Sequence, residues 1–392
     1  MGPFLGWLRS GSWAQRQMLQ MSGRTMRGGA RRCLQAPCLN SIVLVRVVND
    51  ARPSAPYGSE VPMRVPLYPL RFVPVYEQRG LPHGLFAQHL ANDPSRILPP
   101  GATGSWELVD TPATTSTIAN GPLQGEAFAD VVRRAPREIV GRRHPSAKPF
   151  PICIRLAEHT EDHPLAVCPE SPVQVDGETY LPNHRFWLSL AAMEGSEISV
   201  GIRQSTTRVD FTQSLQTQNL RHLLQCYTPL SHDAFFAPSG RVFSIGAGNL
   251  VWELSQHAGP ALEMSHWGRG EPPGPAQVDA ALHSVYFQDR QVRRISRDAG
   301  TIQHTRRVPL LRHCPSFAVE EIRLYDHLFD GTNGATYHLL AVVEGNVRLE
   351  SNAETNHIAA GSLVLIPAAM GDYRLYAESV PARVLRVTQQ TI

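Results

Sequence analysis

Residues 158–170, EHTEDHPLAVCPE, bring Glu158, His159, Glu161, Asp162, His163, Cys168 and Glu170 close together in sequence. Imidazole nitrogen, carboxylate oxygen and thiolate sulfur are the donors that hold zinc, so the stretch is a candidate metal-binding segment. Two histidines four apart share a face only on a helix. Here the flanking patterns are strands, and a solvated polar connection is the plainer expectation. Cys168 is also a candidate nucleophile if a cation such as Arg185 lowers the pKa of its thiol. No pattern supplies a partner base, and a buried inert thiol is the alternative. Arg155, Arg185 and Arg269 are candidates for holding an anion by charge-assisted hydrogen bonds. The competing reading is structural ion pairing, for example with Glu253 or Glu158. His257, His266, His338 and His357 stand apart and read as ordinary rim, core or surface histidines.

The elements that would position these groups are short strands. PICIRLA, HRFWLSLA, EISVGI, DAFFAPSG and NLVWELS follow one another from Phe150, broken by turn residues such as MEGSE, PSG and GAG. Such spacing predicts an antiparallel barrel or jelly roll. FTQSLQTQNLRHLLQCYTPL interrupts it with one or two predicted helices. A second strand series closes the chain: FAVEEIRLY, YHLLAVVEGNVRLE, NHIAA, GSLVLIPAAMGDYRLY and ARVLRVTQ. Upstream, PLRFVPVYE and GSWELVD alternate as strands and GLFAQHLA suits a short helix. Apolar spacing predicts a further helix over 125–141. The expected organisation is a basic extension over 1–62, a first barrel with helical insertions over 63–270, a linker with a helix at Ala276–Phe287 over 271–309, and a second barrel over 310–392.

Composition narrows the function classes. The formal net charge of the 392 residues is +3, and no basic stripe interleaves with aromatic residues, so nucleic acid is not an expected partner. No run of 18 apolar residues predicts a membrane span. Six scattered cysteines without a CxxC pair suit free thiols in a reducing compartment, and the expected location is cytoplasmic. No acidic residue precedes Asp50, while arginines are frequent there. A transit peptide is one reading of that bias; a disordered tail, or translation beginning at Met63 rather than Met1, is the plainer one.

Several motifs in order carry a resemblance: PLRFVP, SWELVDTP with ANGPLQG, FPICIRLAE with PLAVCPE, FWLSLAAMEGSEISVG, FFAPSGRVFSIGAGNLVWEL, HWGRG, and LLAVVEG with AAGSLVLIPAAMG. From about Pro69 to Thr388 the chain resembles the type I mannose-6-phosphate isomerases. The resemblance implies an all-β double cupin with helical insertions. It also implies a family reaction, the interconversion of mannose 6-phosphate and fructose 6-phosphate at one zinc ion, with a sugar phosphate as the partner molecule. The zinc polarises the sugar oxygens while a proton moves between C1 and C2.

Carried over residue by residue, the family's zinc ligands fall on Ala166, Cys168, Arg185 and Phe243. A family lysine falls on Arg155, and the family's active-site arginine is retained as Arg269 within HWGRG. Of the four ligand positions, only Cys168 offers a donor. Zinc needs three protein ligands in catalytic sites and four in structural ones. The expectation is a family member that is non-catalytic or strongly weakened, with no zinc bound, sugar-phosphate contact passing to Arg155, Arg185 and Arg269, and Arg185 filling the cradle. Two alternatives stand beside it: an active isomerase with rearranged metal coordination, and a structural or partner-binding scaffold.

Overall fold

The computed structural model describes residues 65–91, 93, 96–142, 144, 148–289, 294–295 and 303–390. The basic extension, Met1, Met63, Cys33 and Cys38 lie outside the described residues. Two antiparallel double-sheet barrels make up the fold. In the first, a seven-stranded sheet runs in the order 294–295, 234–237, 185–192, 249–255, 153–159, 104–108 and 75–77. Opposite it lies a five-stranded sheet in the order 224–227, 198–202, 242–245, 165–167 and 262–265. The second barrel pairs a sheet ordered 306–311, 317–324, 382–389, 338–344 and 363–366 with one ordered 327–331, 372–377, 346–351 and 355–359. No helix among the described residues is long and apolar enough to cross a membrane.

Successive side chains of a strand point to opposite faces, and this decides what each core contains. In Asn249–Ser255, Leu250, Trp252 and Leu254 join the largest apolar cluster, while Val251 faces the barrel interior. In His338–Glu344, Leu339, Ala341 and Val343 join that same large cluster, whereas Leu340 and Val342 fill the second barrel. One continuous core therefore joins the outer face of the first barrel to the second. It also explains why LLAVV is apolar without alternation: both faces of this strand are covered.

Three elements depart from the sequence-based expectation. The helix expected over 125–141 is split into Phe128–Arg134 and Pro136–Ile139, with Ala135 at φ −139° and ψ 57° between them. Pro136 disfavours helical backbone at the residue before it and then occupies the first turn of the next helix. Of the one or two helices expected from Phe211 onward, one forms, followed by a single 3-10 turn at Arg221–Leu223. A helix covers Arg208–Gln216, started by a capping box between Thr207 and Asp210, but Leu224–Tyr227 is a strand paired with Ile198–Ile202. Leu220, Leu223 and Leu224 have helical spacing, and strand pairing outweighs it. Finally, Arg306–Leu311, mostly within the stretch read as linker, pairs with Phe317–Leu324. Pro309 is tolerated because this strand lies at a sheet edge. The linker helix runs from Pro275 to Ser284.

His338, at the start of its strand, is buried against Tyr373, whose hydroxyl lies 2.9 Å from Nδ1. Burial, followed by the Arg386 charge, lowers its pKa to about 4. The imidazole is neutral in the fold, while the unfolded chain takes up a proton near pH 6.5. Stability is therefore complete above about pH 6.5 and declines between there and about pH 4, by up to about 3 kcal/mol from this group. Urea unfolding at pH 7.5 and pH 4.5 measures the loss, and His338→Gln flattens part of that slope.

Candidate functional site

The first barrel's interior is built by alternation. Arg155, Ala157 and His159 point inward from one strand, Arg185 and Trp187 from the next, and Val251 and Glu253 from the strand between them. Register then fixes their neighbours. Phe243 lies opposite Ala166 on one side and Val200 on the other, and Arg185 lies opposite Ala237 and Ser255. Ala166, Cys168 and Phe243 share one buried cluster with Trp187. The Arg185 guanidinium carbon stands 5.5 Å from the Phe243 ring centre, and its charge acts on the Cys168 thiol. The structure thus brings the four ligand-position residues together.

What they gather around is an ion-pair chain. Arg185 Nη1 donates to Glu253 Oε1 at 2.7 Å and its Nη2 donates to the Gly259 carbonyl at 3.1 Å. Arg155 Nη2 lies 2.6 Å from Glu77 Oε2, and its Nη1 lies 4.0 Å from Glu253 Oε2. The Trp106 indole donates to Glu77 Oε1 at 2.5 Å and stacks under the Arg155 head group. Arg79 adds a contact to Glu77 at 3.4 Å. Burial alone would raise the pKa of Glu253, but the charges of Arg185, then Arg155 and His163, outweigh it and hold the carboxyl below its usual range. Burial opposes the Arg185 charge in turn, and Cys168 and Glu253 overcome that and raise its pKa.

A methyl, a guanidinium and a phenyl ring have no lone pair for a cation, and the positive charge of Arg185 bears on the one remaining donor, Cys168. These residues do not fit a zinc ion. The polar stretch after Glu158 is also dispersed. Glu158 caps a short helix, accepting from the Phe86 N–H at 2.9 Å and from the His83 N–H. Asp162 accepts from the Ala247 N–H at 2.9 Å, and Glu161 and Glu170 are exposed. His159 and His163 are half-buried with ring centres 6.1 Å apart, and desolvation depresses both pKa values. Among the described residues, no set of three or more ligating side chains is placed to hold a metal.

Cys168 is 1% exposed, and burial raises its thiol pKa despite the opposing Arg185 charge. A raised, enclosed thiol is a poor nucleophile. Iodoacetamide treatment of native protein followed by peptide mass spectrometry should leave Cys168 unlabelled, while the half-buried Cys226 reacts.

The three arginines do not share one partner. Arg155 and Arg185 both contact Glu253. Arg269 is 44% exposed, donates to the Asp162 carbonyl at 2.6 Å and lies 3.6 Å from the Asp162 carboxylate. Its neighbour Trp267 has φ 56°, uncommon for a bulky residue, and its indole donates to the His163 carbonyl at 2.9 Å. His163 in turn packs on Phe243, and Phe243 on Trp187, so aromatic rings fill the barrel inward from this loop. His266 bonds Glu263 at 2.8 Å, and His257 contacts the Pro182 carbonyl at 3.0 Å. Glu77 is the network member that sequence inspection missed. It closes the strand Val75–Glu77, and no sequence signal ties it to Arg155, so far along the chain.

No family model matches the chain. Among curated proteins it is similar to mannose-6-phosphate isomerase ManA of Bacillus subtilis, with 23% identity over 322 residues, covering 80% of this chain and 98% of that one. Among solved structures it is similar to the mannose 6-phosphate isomerase from Bacillus subtilis, with TM-score 0.64, 18% identity, and 81% of this chain and 99% of that chain covered. A mannose 6-phosphate isomerase bound with zinc and yttrium gives TM-score 0.63 at 12% identity, covering 82% and 99% of the two chains. The fold defines the chain as an all-β double cupin. These homologues and structure neighbours support a divergent relationship to the mannose-6-phosphate isomerase family.

Proposed function

We propose that this chain is a non-catalytic member of its family, whose first barrel holds an internal ion pair in place of zinc. The observation that carries the proposal is the Arg185–Glu253 pair at 2.7 Å beside the Phe243 ring, within the cradle formed by the ligand positions. Without a Lewis acid on the sugar oxygens, several kcal/mol of transition-state stabilisation are missing, which corresponds to roughly a thousand-fold or more in rate. A coupled assay for fructose 6-phosphate formation from mannose 6-phosphate tests this directly. Turnover within about ten-fold of an ordinary enzyme's tens per second would refute it.

In this proposal sugar-phosphate contact falls to Arg269, because Arg155 and Arg185 are already neutralised by buried carboxylates whereas Arg269 is open to solvent. A thermal-shift titration with mannose 6-phosphate should raise the melting temperature only at millimolar ligand, and Arg269→Ala should abolish the rise. An unchanged melting temperature in the unaltered protein would favour a scaffold role instead.

A further inference from the structure

We infer that a groove outside both barrels binds a small amphiphilic anion, with its carboxylate or phosphate head on Arg71 and its apolar body along Val73 and Ile97. The groove has a volume of about 1370 Å³. It lies between the paired strands Phe72–Val73 and Thr117–Ile118, the segments 97–100 and 111–115, and Ser362 and Leu363 of the second barrel. Small-molecule pockets enclose roughly 300–1,000 Å³, so the space is ample for such a ligand. Strand alternation decides what faces it. Leu70, Phe72 and Ile118 turn into the large apolar core, so Arg71, Val73 and Thr117 turn the other way, onto the groove. The site stands apart from the first barrel's cradle, and the inference does not depend on whether that cradle holds zinc.

Apolar side chains are left uncovered here: Val73 is 47% exposed and Ile97 is 88% exposed. Pro74, Pro99, Pro100 and Pro112 also line the groove. Their fixed φ angles hold the wall in shape before a ligand arrives, which lowers the ordering cost of binding. Charge then selects the ligand. The two carboxylates of the groove are already engaged, because Arg96 donates to both oxygens of Glu107, at 2.8 and 2.6 Å, and lies 3.4 Å from Asp93. The backbone of Arg71 is fixed: its N–H donates to Asn120 Oδ1 at 2.8 Å, and its carbonyl accepts from the Ala119 N–H at 2.8 Å. Its half-buried side chain makes no hydrogen bond or ion pair with any described residue. A guanidinium without a counter-ion, set beside an apolar wall, matches a carboxylate or phosphate, which it can grip with two N–H groups at once.

Calorimetric titration of the full chain with dodecanoate, below its micelle concentration, tests the inference. Dodecyl phosphate, acetate and dodecyltrimethylammonium serve as parallel ligands. Dodecanoate or dodecyl phosphate should bind one per chain with a dissociation constant of roughly 1–100 μM, and the tighter of the two identifies the head group. Acetate lacks the apolar body and dodecyltrimethylammonium carries the wrong charge, so neither should bind. Arg71→Gln should weaken binding roughly ten-fold or more, the loss of a charge-assisted hydrogen bond. Ile97→Glu, at a position that folding leaves exposed, should weaken it comparably by placing a like charge beside the ligand. Thermal unfolding checks that both variants are folded; if Arg71→Gln is not, Ile97→Glu carries the comparison. No saturable binding by the unaltered chain, an affinity that a folded variant leaves unchanged, or equal binding of dodecyltrimethylammonium overturns the inference. A dimer in sedimentation velocity that Ile97→Glu dissociates, with no dodecanoate bound, would assign the groove to a second copy of the chain and overturns it equally.

Discussion

Replacing Glu253 with alanine should destabilise the protein by about 3–5 kcal/mol, measured by urea unfolding at pH 7.5. The carboxylate is 5% exposed and is the bonded counter-ion of Arg185 and a neighbour of Arg155. At 2.7 Å and an effective dielectric of 20, the gross attraction to Arg185 alone is roughly 6 kcal/mol, offset in part by desolvation. Deleting one partner leaves the desolvation of Arg185 unopposed, and breaking a buried pair in that way characteristically costs about 3–5 kcal/mol. Replacing both members with apolar side chains, Arg185→Met with Glu253→Leu, should cost far less, because neither charge is then left buried. A loss below about 1 kcal/mol in Glu253→Ala would mean that the charge chain is not structural.

Phe243→Ala should cost a similar amount, about 3–5 kcal/mol, by opening a cavity in the barrel interior. Phe243 is 3% exposed, packs against Trp187 at 5.2 Å and His163 at 6.0 Å between ring centres, and lies under Arg185. This result bears on function as well as on packing. Residues of a working site are often neutral or stabilising when replaced, since their placement serves chemistry and not folding. A heavy penalty at a former ligand position would show that the cradle has become core. A penalty near zero would argue for an open, ligand-accessible pocket.

Much of this arrangement is legible in the sequence. The motifs assign the ligand positions, and the fold places Ala166 and Phe243 on adjacent strands of one sheet with Arg185 on the facing sheet. Burial of alternate residues in NLVWELS follows from strand geometry. What the sequence hides is long-range pairing. Glu253 is apparent as a buried acid, but nothing local says that it binds Arg185 and not Arg269. Glu77 meets Arg155 only because the strand Val75–Glu77 lies beside Gly104–Leu108, which lies beside Cys153–His159. Glu158 reads as a metal donor and serves as a helix cap, because the helix that it caps begins more than seventy residues earlier. Leu220, Leu223 and Leu224 have helical spacing, yet Leu224–Tyr227 is a strand because it pairs with Ile198–Ile202.

The central claim concerns the cradle, and metal analysis addresses it most directly. Protein incubated with excess Zn²⁺, freed of loosely bound ion by gel filtration and analysed by mass spectrometry of the elements should carry less than about 0.1 zinc per chain, against about one for a three-ligand catalytic site. Chelator treatment should leave its melting temperature unchanged. Close to one zinc per chain, together with fructose 6-phosphate formation that a chelator abolishes, would contradict the account.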